Sequence, residues 1–457
     1  MITVRDVRKR FATVRAVDGV SLEVARLLRL AACLLMLGIA SRVPAQSPLQ
    51  RCTIAGQPAK CGSLSVPEDH RTANGRRIEL RTVILERQEE DGESRDPVFV
   101  LAGGPGQAAT DLTEWAADIL QDARRTRDIV LIDQRGTGGA NRLACALAPQ
   151  SYFVPANPER CAARLARKAK LSLYGTESVI EDIELTRRML GYPRIVVLGA
   201  SYGTRAAYAY ARKYPGSVRA AVLMAPAPVS MPILDSFAED GRRSLDAIIA
   251  DCLTNESCAT AFPHLHSDVE RLRAETMDPF RVLGLQFLQY STATIVDIPR
   301  VITRAASGDL DPLDSAIARF REQIGEQLAL GLHLTIVCGE DLPFGASESN
   351  SVARRQYARA CRGWPIAGVS HNFHDPVRLS VPALILVGEW DPVTSPRWAR
   401  RATEQFSPTQ LVVLPKTGHL LDGYRACAGK LIVAFLDQHA ADTSCVATVR
   451  APRFIVK

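Results

Sequence analysis

Residues 194–205 read Arg-Ile-Val-Val-Leu-Gly-Ala-Ser-Tyr-Gly-Thr-Arg, an apolar β-branched run that leads into a Gly-x-Ser-x-Gly motif. Residues 195–198 are typical of a buried strand, and the alanine-rich residues 206–214 predict a helix packed behind it. The glycines at 199 and 203 leave room for a strained strand-to-helix turn, which lifts the serine hydroxyl out of the chain. This context predicts Ser201 as a nucleophile.

Apolar runs of similar length recur along the chain, with segments of helical periodicity between them. The predicted strands are residues 78–85, 98–102, 129–132, 195–198, 220–224, 383–387 and 411–414. Residues 178–190 are a predicted helix, since apolar Ile180 and Ile183 alternate with polar Glu181 and Asp182 at helical spacing. Alternating strands and helices predict an α/β fold with a mostly parallel central sheet and helices on both faces.

The alternation of strands and helices breaks after Pro226. Residues 229–378 are rich in helical patterns, lack clean strand runs and hold two cysteine pairs. They are therefore predicted to form a cap inserted over the sheet. The core would then consist of a first part, residues 46–228, and a second part, residues 379–457, which carries the acid and base of the site.

Residues 26–45 have the pattern of a secretory signal peptide. Arg26 and Arg29 precede an apolar run at 30–40, and a Val-Pro-Ala sequence ends at residue 45. The run is short for a bilayer span, and a small residue at 45 suits cleavage. We therefore expect a secreted or periplasmic protein with no stable membrane span after cleavage; a retained anchor is the alternative.

The residues before this segment, which begin Met-Ile-Thr-Val-Arg-Asp-Val-Arg-Lys-Arg-Phe, resemble the opening strands of an ABC-transporter ATPase subunit. No Gly-x-x-x-x-Gly-Lys-Ser/Thr phosphate loop follows them, so the resemblance implies no nucleotide binding. Residues 1–25 are interpreted as a fusion scar or as sequence upstream of the true start, outside the mature protein.

Composition and charge point to a soluble globular enzyme and away from nucleic acid. The chain is 47% hydrophobic and 23% charged, which is ordinary for that class. Its net charge of +7 is concentrated in residues 1–45, where eight basic residues face three acidic ones. The remainder is nearly balanced, with 48 basic and 46 acidic residues, so no nucleic-acid partner is expected.

Ten cysteines lie outside the signal segment: Cys52, Cys61, Cys145, Cys161, Cys252, Cys258, Cys338, Cys361, Cys427 and Cys445. An even number behind a signal peptide predicts disulfides in an oxidising compartment. The cysteines fall into sequential pairs with short separations, although spacing alone does not determine their connectivity. A metal site is disfavoured because there is no Cys-x-x-Cys motif, and neither a metal nor an organic cofactor is expected.

A serine nucleophile needs a histidine base and an orienting carboxylate, which in this architecture follow in the order Ser, Asp, His. Asp391 lies just past the predicted strand 383–387, with Glu389 as the local rival and a simple Asp-Pro turn as the alternative. His419 follows strand 411–414 through a short loop that returns over the C-terminal edge of the sheet, whereas His333 precedes the acid in the chain. Asp391 and His419 are therefore the predicted partners of Ser201.

The sequence Gly103-Gly104-Pro105-Gly106 directly follows the predicted strand 98–102. Bare backbone N–H groups in such a loop can approach a substrate carbonyl, and the N–H of Tyr202 would be the partner donor. The loop lacks the Lys-Ser/Thr of a phosphate loop. It is interpreted as an oxyanion loop, with an ordinary tight turn as the alternative.

Five motifs now stand in order: Gly-Gly-Pro-Gly at 103–106, Asp-Gln-Arg-Gly-Thr-Gly at 133–138, Gly-Ala-Ser-Tyr-Gly-Thr-Arg at 199–205, Gly-Glu-Trp-Asp-Pro-Val-Thr at 388–394 and Gly-His at 418–419. From about Cys52 onward the chain resembles an α/β-hydrolase of the prolyl/tripeptidyl aminopeptidase family. An Asp-Thr-Ser-Cys sequence at 442–445 is similar to the secreted, tripeptidyl-aminopeptidase-like (TAP-like) branch. The resemblance implies the α/β-hydrolase fold and the triad Ser201, Asp391 and His419.

The same resemblance implies Gly104 and Tyr202 as oxyanion donors and a structural role for the loop at 133–136. Prolyl members bind the free amine of the substrate through acidic groups in the cap. The acidic pair Glu340 and Asp341 is the candidate here, with Glu239 and Asp240 as rivals.

The family resemblance further implies a serine aminopeptidase that releases an N-terminal proline, another amino acid or a tripeptide from a peptide substrate. Ala102 stands where cytoplasmic prolyl enzymes carry histidine, which weakens an assignment to strict proline specificity. An esterase or other hydrolase of a small acyl substrate remains open. A noncatalytic binding or transporter-accessory protein is the remote alternative, and no oligomeric state is predicted.

Overall fold

The computed structural model describes the backbone of residues 2–11 and 14–24, together with residues 48–54, 56–72, 74–89, 95–274, 278–345, 351–366 and 368–456. The chain divides into two units, Met1–Pro48 and Leu49–Lys457. In the first unit, strands β1 (Ile2–Phe11) and β2 (Val14–Val24) pair antiparallel. The predicted signal segment at 26–45 lies outside the described residues.

A nine-stranded sheet forms the centre of the second unit. Its strands are β3 (Leu49–Ile54), β4 (Gln57–Pro67), β5 (Arg77–Leu85), β6 (Val98–Leu101), β7 (Ile129–Ile132), β8 (Ile195–Ala200), β9 (Val218–Met224), β10 (Ala383–Gly388) and β11 (Thr409–Leu414). Their order is β11-β10-β9-β8-β6-β7-β5-β4-β3. The strands from β11 to β7 are parallel, and β5, β4 and β3 continue antiparallel. The predicted mostly parallel sheet is confirmed.

The α-helices of the described residues are α1 (Thr113–Ile119), α2 (Pro158–Leu165), α3 (Thr176–Met189), α4 (Tyr202–Lys213), α5 (Ile233–Thr254), α6 (Glu256–Ala261), α7 (Leu265–Ala274), α8 (Pro279–Phe287), α9 (Thr292–Ile295), α10 (Ile298–Ala306), α11 (Asp311–Gln327), α12 (Leu330–Ile336), α13 (Val352–Ala360), α14 (Pro396–Thr403) and α15 (Arg425–Gln438). A π-helical turn, Val337–Asp341, extends α12. Within the described residues no helix is long and apolar enough to cross a membrane.

Helices cover both faces of the sheet. Successive side chains of a strand point to opposite faces, so each strand contributes apolar residues to both layers. On β6, Phe99 and Leu101 pack with residues of α3, α4 and α14 in one apolar cluster. Val98 and Val100 belong to a second cluster, which contains residues of α1 and α15. This layering leaves the C-terminal ends of the parallel strands free to carry loops.

We call residues 229–378, between β9 and β10, the cap segment. Its described residues include helices α5 to α13 and no strand of the central sheet. It has an apolar cluster of its own, in which Ile248 and Phe287 pack with Tyr152 from the core. The segment therefore gains stability from its own buried surface.

Five disulfides pair the ten cysteines in sequential order: Cys52–Cys61, Cys145–Cys161, Cys252–Cys258, Cys338–Cys361 and Cys427–Cys445. The first joins β3 to β4, and the last joins α15 to the segment that follows it in the chain. Two lie in the cap segment, where Cys338 belongs to the π-helical turn and Cys361 directly follows α13. The predicted use of cysteines in disulfides is confirmed.

Candidate active site

Ser201 lies on the sharp turn between β8 and α4. Its backbone has φ 54° and ψ −123°, a conformation that is strained for a residue with a side chain. A Cβ on Gly199 would lie 2.5 Å from the carbonyl oxygen of Gly203, and a Cβ on Gly203 would lie 2.0 Å from that of Leu101. The two motif glycines are therefore required by close backbone contacts on either side of the serine.

His419 lies between Ser201 and Asp391. Its Nε2 is 3.0 Å from the Oγ of Ser201, and its Nδ1 is 2.9 Å from Oδ2 of Asp391. An ionised carboxylate only accepts hydrogen bonds, so Nδ1 carries the proton and Nε2 is left to accept from the serine hydroxyl. The loops after β8, β10 and β11 thus bring together the three side chains predicted to act as nucleophile, orienting acid and base.

The carboxylate of Asp391 is buried and fully hydrogen-bonded. Oδ1 accepts from the backbone N–H groups of Val393 and Thr394 at 2.8 and 2.9 Å, and Oδ2 accepts from the Thr394 hydroxyl at 2.8 Å. Burial alone would raise the pKa of Asp391, but the His419 charge and these hydrogen bonds outweigh it, and the pKa falls below its ordinary value. Its rival Glu389 is exposed and accepts from the backbone N–H of Lys416 at 2.9 Å.

The loop at 103–106 lies against the nucleophile. A Cβ on Gly103 would be 3.2 Å from the Cβ of Ser201 and 3.7 Å from its Oγ. Gly104 has φ +110°, which a side chain would disfavour. Tyr202 is the first residue of α4, where a backbone N–H has no acceptor within the helix. The two predicted oxyanion donors therefore belong to segments on either side of Ser201.

The loop at 133–136 makes structural contacts. Asp133 accepts from the backbone N–H and the hydroxyl of Thr110 at 2.9 and 2.8 Å. Arg135 is fully buried and donates to both carboxylate oxygens of Asp182 at 2.7 Å. Such bidentate pairing is a strong, directional contact. It braces the loop against α3.

A cavity of about 640 Å³ opens above Ser201 and His419. Its aromatic lining consists of Trp115, Tyr152, Phe153, Tyr202, Phe237, Phe287, Tyr290, Phe320 and Tyr357. Most of these side chains come from the cap segment. The Tyr290 ring also packs on His419, with 4.9 Å between ring centroids. A largely apolar pocket with a few polar groups is the usual form of a small-molecule or peptide site.

The two adjacent acidic residues predicted to bind an amine have different surroundings. Asp341 contributes to the cavity wall and accepts from Nη1 of Arg205 at 2.6 Å. The Glu340 carboxylate is turned to the start of α3, where it accepts from the N–H and the hydroxyl of Thr176, both at 2.7 Å. Burial raises the pKa of Glu340 to about 7, against the lowering effects of Arg205 and Thr176.

The rival acids Glu239 and Asp240 fasten α5 to α14. Asp240 is buried and accepts from the Ser395 hydroxyl at 2.8 Å and the Trp398 indole at 2.9 Å. Arg397 bridges the two carboxylates, with contacts of 3.1 Å to Glu239 and 3.0 Å to Asp240. Both acids are therefore occupied by structural partners.

Sequence reasoning missed two residues of the cavity wall, Arg205 and His333. Arg205 lies four residues, about one helical turn, after Ser201, and His333 comes from α12 of the cap segment. Their neighbours are distant in sequence, so no local pattern marks either side chain as part of the site.

The fold and the strained serine turn define the class of the protein, an α/β-hydrolase. Residues 96–260 match the family model of the α/β-hydrolase fold. Residues 348–445 match the model described as TAP-like protein. The fold and family inferred from the motifs are both confirmed.

Several curated relatives of the chain are named as peptidases. The serine protease Hip1 of Mycobacterium tuberculosis is 25% identical over 272 residues, which cover 52% of this chain and 52% of that protein. The tripeptidyl aminopeptidase of Streptomyces lividans is 25% identical over 189 residues, 36% of this chain and 35% of that protein. The proline iminopeptidase of Neisseria gonorrhoeae is 32% identical over 127 residues, 28% of this chain and 31% of that protein. The chain thus spans about half or less of the length of the curated relatives it matches.

Proposed function

We propose that this protein is a secreted or periplasmic serine aminopeptidase, which removes an N-terminal amino acid, proline included, or a short peptide such as a tripeptide. The observation that carries the proposal is the hydrogen-bonded line from Ser201 through His419 to Asp391 at the base of a capped cavity. The named peptidases among its relatives support it.

In the proposed reaction His419 takes the proton of the Ser201 hydroxyl while the serine oxygen attacks the substrate carbonyl. The N–H groups of Gly104 and Tyr202 bind the resulting oxyanion, and protonated His419 then gives its proton to the leaving amine. Water enters, and His419 removes its proton as the water oxygen attacks the acyl carbon. The bond from that carbon to the Ser201 oxygen then breaks, His419 returns the proton to the serine oxygen, and the acid product leaves. Asp391 keeps the imidazole oriented and stabilises its charged form.

The proposed amine site is Asp341, with Glu340 behind it. When both carboxylates are ionised, their charges exceed that of Arg205 by one negative unit. A substrate ammonium bound beside Asp341 would compensate this excess in a buried setting, where an uncompensated charge is costly. The amine site would therefore select substrates with a free N-terminus.

The nucleophile assignment is tested by Ser201→Ala on aminoacyl and tripeptidyl arylamides. We expect hydrolysis to fall by at least about 10³-fold, because triad residues act as a unit. Labelling by a fluorophosphonate probe should also disappear. Full hydrolytic rate in Ser201→Ala would overturn the proposal.

The aromatic cavity wall also favours a second candidate, an esterase that accepts an apolar acyl group. Free and N-acetylated forms of one arylamide, together with the matching ester, separate the two functions. An aminopeptidase should prefer the free amine by at least about tenfold in kcat/KM, and Asp341→Asn should reduce this preference. The exposed Glu326→Gln is the matched control and should leave the preference unchanged. Equal rates on free and acetylated substrates would favour the esterase.

Secretion is proposed from the signal pattern at 26–45, and the five disulfides support it. Residues 46–228 and 379–457 would form the catalytic core and 229–378 its cap. Mass spectrometry of the exported protein should give an N-terminus near Gln46. A mature protein that retains Met1 would overturn the signal assignment.

A further inference from the structure

His333 connects the cap segment to the loop at 103–106. It lies on α12 and is buried, and its Nδ1 is 3.0 Å from the carbonyl oxygen of Pro105. A carbonyl oxygen can only accept a hydrogen bond, so Nδ1 must carry the proton. The contact is therefore a hydrogen bond from a cap side chain to the backbone of the oxyanion loop.

The second ring nitrogen fixes the same tautomer. Nε2 of His333 is 2.7 Å from the Tyr357 hydroxyl, which donates to it. Burial raises the pKa of Tyr357, so this hydroxyl stays protonated. Burial also lowers the pKa of His333 to about 4, so the ring is neutral near pH 7, with a proton on Nδ1 alone.

Two further contacts hold the ring and the loop in place. Phe153 stacks on the His333 ring, with 5.3 Å between ring centroids and 22° between the ring planes. The backbone N–H of Ala329, just before α12, donates to the carbonyl oxygen of Gly106 at 2.9 Å. The cap segment therefore binds two successive carbonyl groups of the loop, those of Pro105 and Gly106.

We propose that His333 is a positioning residue that holds the oxyanion loop in its productive conformation. This inference rests on the proposed function, in which the N–H of Gly104 stabilises the oxyanion. Pro105 directly follows Gly104 in the chain. Loss of the hydrogen bond from His333 to the Pro105 carbonyl oxygen therefore lets Gly104, with its N–H, move. The Gly104 contact strengthens as negative charge develops in the transition state, so a displacement lowers kcat more than it raises KM.

The matched variants are His333→Leu and His333→Asn. Leucine removes the hydrogen bond to Pro105, and kcat should fall about 10- to 100-fold while KM stays within about threefold. The Nδ2 of asparagine can take the place of the imidazole Nδ1, so His333→Asn should recover most of the lost kcat. His371→Leu, at an exposed histidine of the cap segment, is the control and should behave as the unchanged protein.

Wild-type kcat in His333→Leu, or a loss in His333→Asn as large as in His333→Leu, would overturn the inference. If His333→Leu does not fold, the inference is tested by the kcat of the asparagine variant and by the imidazole ¹⁵N spectrum of the unchanged protein. That spectrum should show a protonated Nδ1 and a bare Nε2 at pH 7, and a proton on Nε2 instead would overturn the inference. Failure of the proposed function is separate, because it appears as activity retained in Ser201→Ala.

Discussion

At the scale of single residues, the Asp391 carboxylate is held by several hydrogen bonds besides the one to His419. Asp391 accepts hydrogen bonds from two backbone N–H groups, from Thr394 and from His419. These contacts keep a buried carboxylate ionised and aimed at one ring nitrogen. The orientation of the His419 ring is therefore determined in part by the loop after β10.

Asp391→Asn should lower kcat by about 10⁴-fold while KM changes little. An amide at this position can donate to Nδ1, which favours the wrong imidazole tautomer and leaves Nε2 unable to accept the serine proton. Steady-state kinetics on the best arylamide substrate would measure the loss. Glu389→Gln is the control, since that side chain is exposed, and a loss there as large as in Asp391→Asn would contradict the assignment of the acid.

Glu340 should make folding stability depend on pH. Its pKa is about 7 in the folded protein, and we take 4.5 for the unfolded chain. Between these values only the folded state holds the proton, so the stabilisation is complete below pH 4.5 and is lost as pH rises through 7. At about 1.4 kcal/mol per pKa unit the change is roughly 3 kcal/mol.

Urea unfolding of the unchanged protein and of Glu340→Gln at pH 5 and pH 8 would measure this effect. The free energy of unfolding of the unchanged protein should fall relative to that of the variant as pH rises, because glutamine does not titrate. A difference between the two proteins that is equal at both pH values would contradict it.

At this scale, the sequence was sufficient to predict candidate residues that directly follow a predicted strand. Ser201, Asp391 and His419 each follow a predicted strand, so topology alone brings them to one edge of the sheet. The different environments of Glu340 and Asp341 could not be predicted in this way. Thr176 and Arg205, which separate the two carboxylates, come from other elements.

At the scale of secondary-structure elements, β6 packs closely against the start of α4. Gly203 touches the carbonyl oxygen of Leu101, so the helix behind the nucleophile lies directly against the strand that leads into the oxyanion loop. The relative placement of Ser201 and the proposed oxyanion donors therefore depends on a contact that only glycine permits.

Gly203→Ala should separate these two elements. The added Cβ would lie 2.0 Å from the carbonyl oxygen of Leu101, and overpacking of this kind destabilises by about 1–3 kcal/mol or more. Thermal unfolding and kcat should both fall. Gly216→Ala is the matched control, because nothing lies within 4 Å of its added Cβ, and an equal loss there would contradict the explanation.

All seven predicted strands are present, but β3 and β4 were not predicted. Strand β4 reads Gln-Pro-Ala-Lys-Cys-Gly-Ser-Leu-Ser-Val-Pro, whose small and polar residues hide the alternation that marks a strand. It is held by pairing with β3 and β5 and by the disulfide between Cys52 and Cys61. Neither partner can be identified from a local window of sequence.

At the scale of the whole molecule, one disulfide differs from the others because it anchors the turn that carries the proposed amine site. Cys338 lies on the π-helical turn that carries Glu340 and Asp341, and its bond to Cys361 fastens this turn behind α13. The bond between Cys52 and Cys61 lies at the far edge of the sheet.

Replacing Cys338 and Cys361 together by serine should lower the free energy of unfolding by about 3 kcal/mol and raise KM for free-amine substrates. The matched Cys52 and Cys61 double variant should lower stability and leave KM unchanged. Thermal unfolding and kinetics at a temperature where both variants are folded would measure the two effects. An equal rise of KM in both would contradict a specific role for the cap disulfide.

The cavity under the cap segment also determines what this protein leaves intact. A sphere with the cavity's volume of about 640 Å³ has a radius of only about 5 Å, whereas even a small folded domain has a radius of gyration of about 13 Å. Only a loose chain end or a short fragment can bring its carbonyl group to Ser201. Under the proposed function, folded proteins in the same compartment should therefore escape cleavage, and loose chain ends and short peptides should be the substrates.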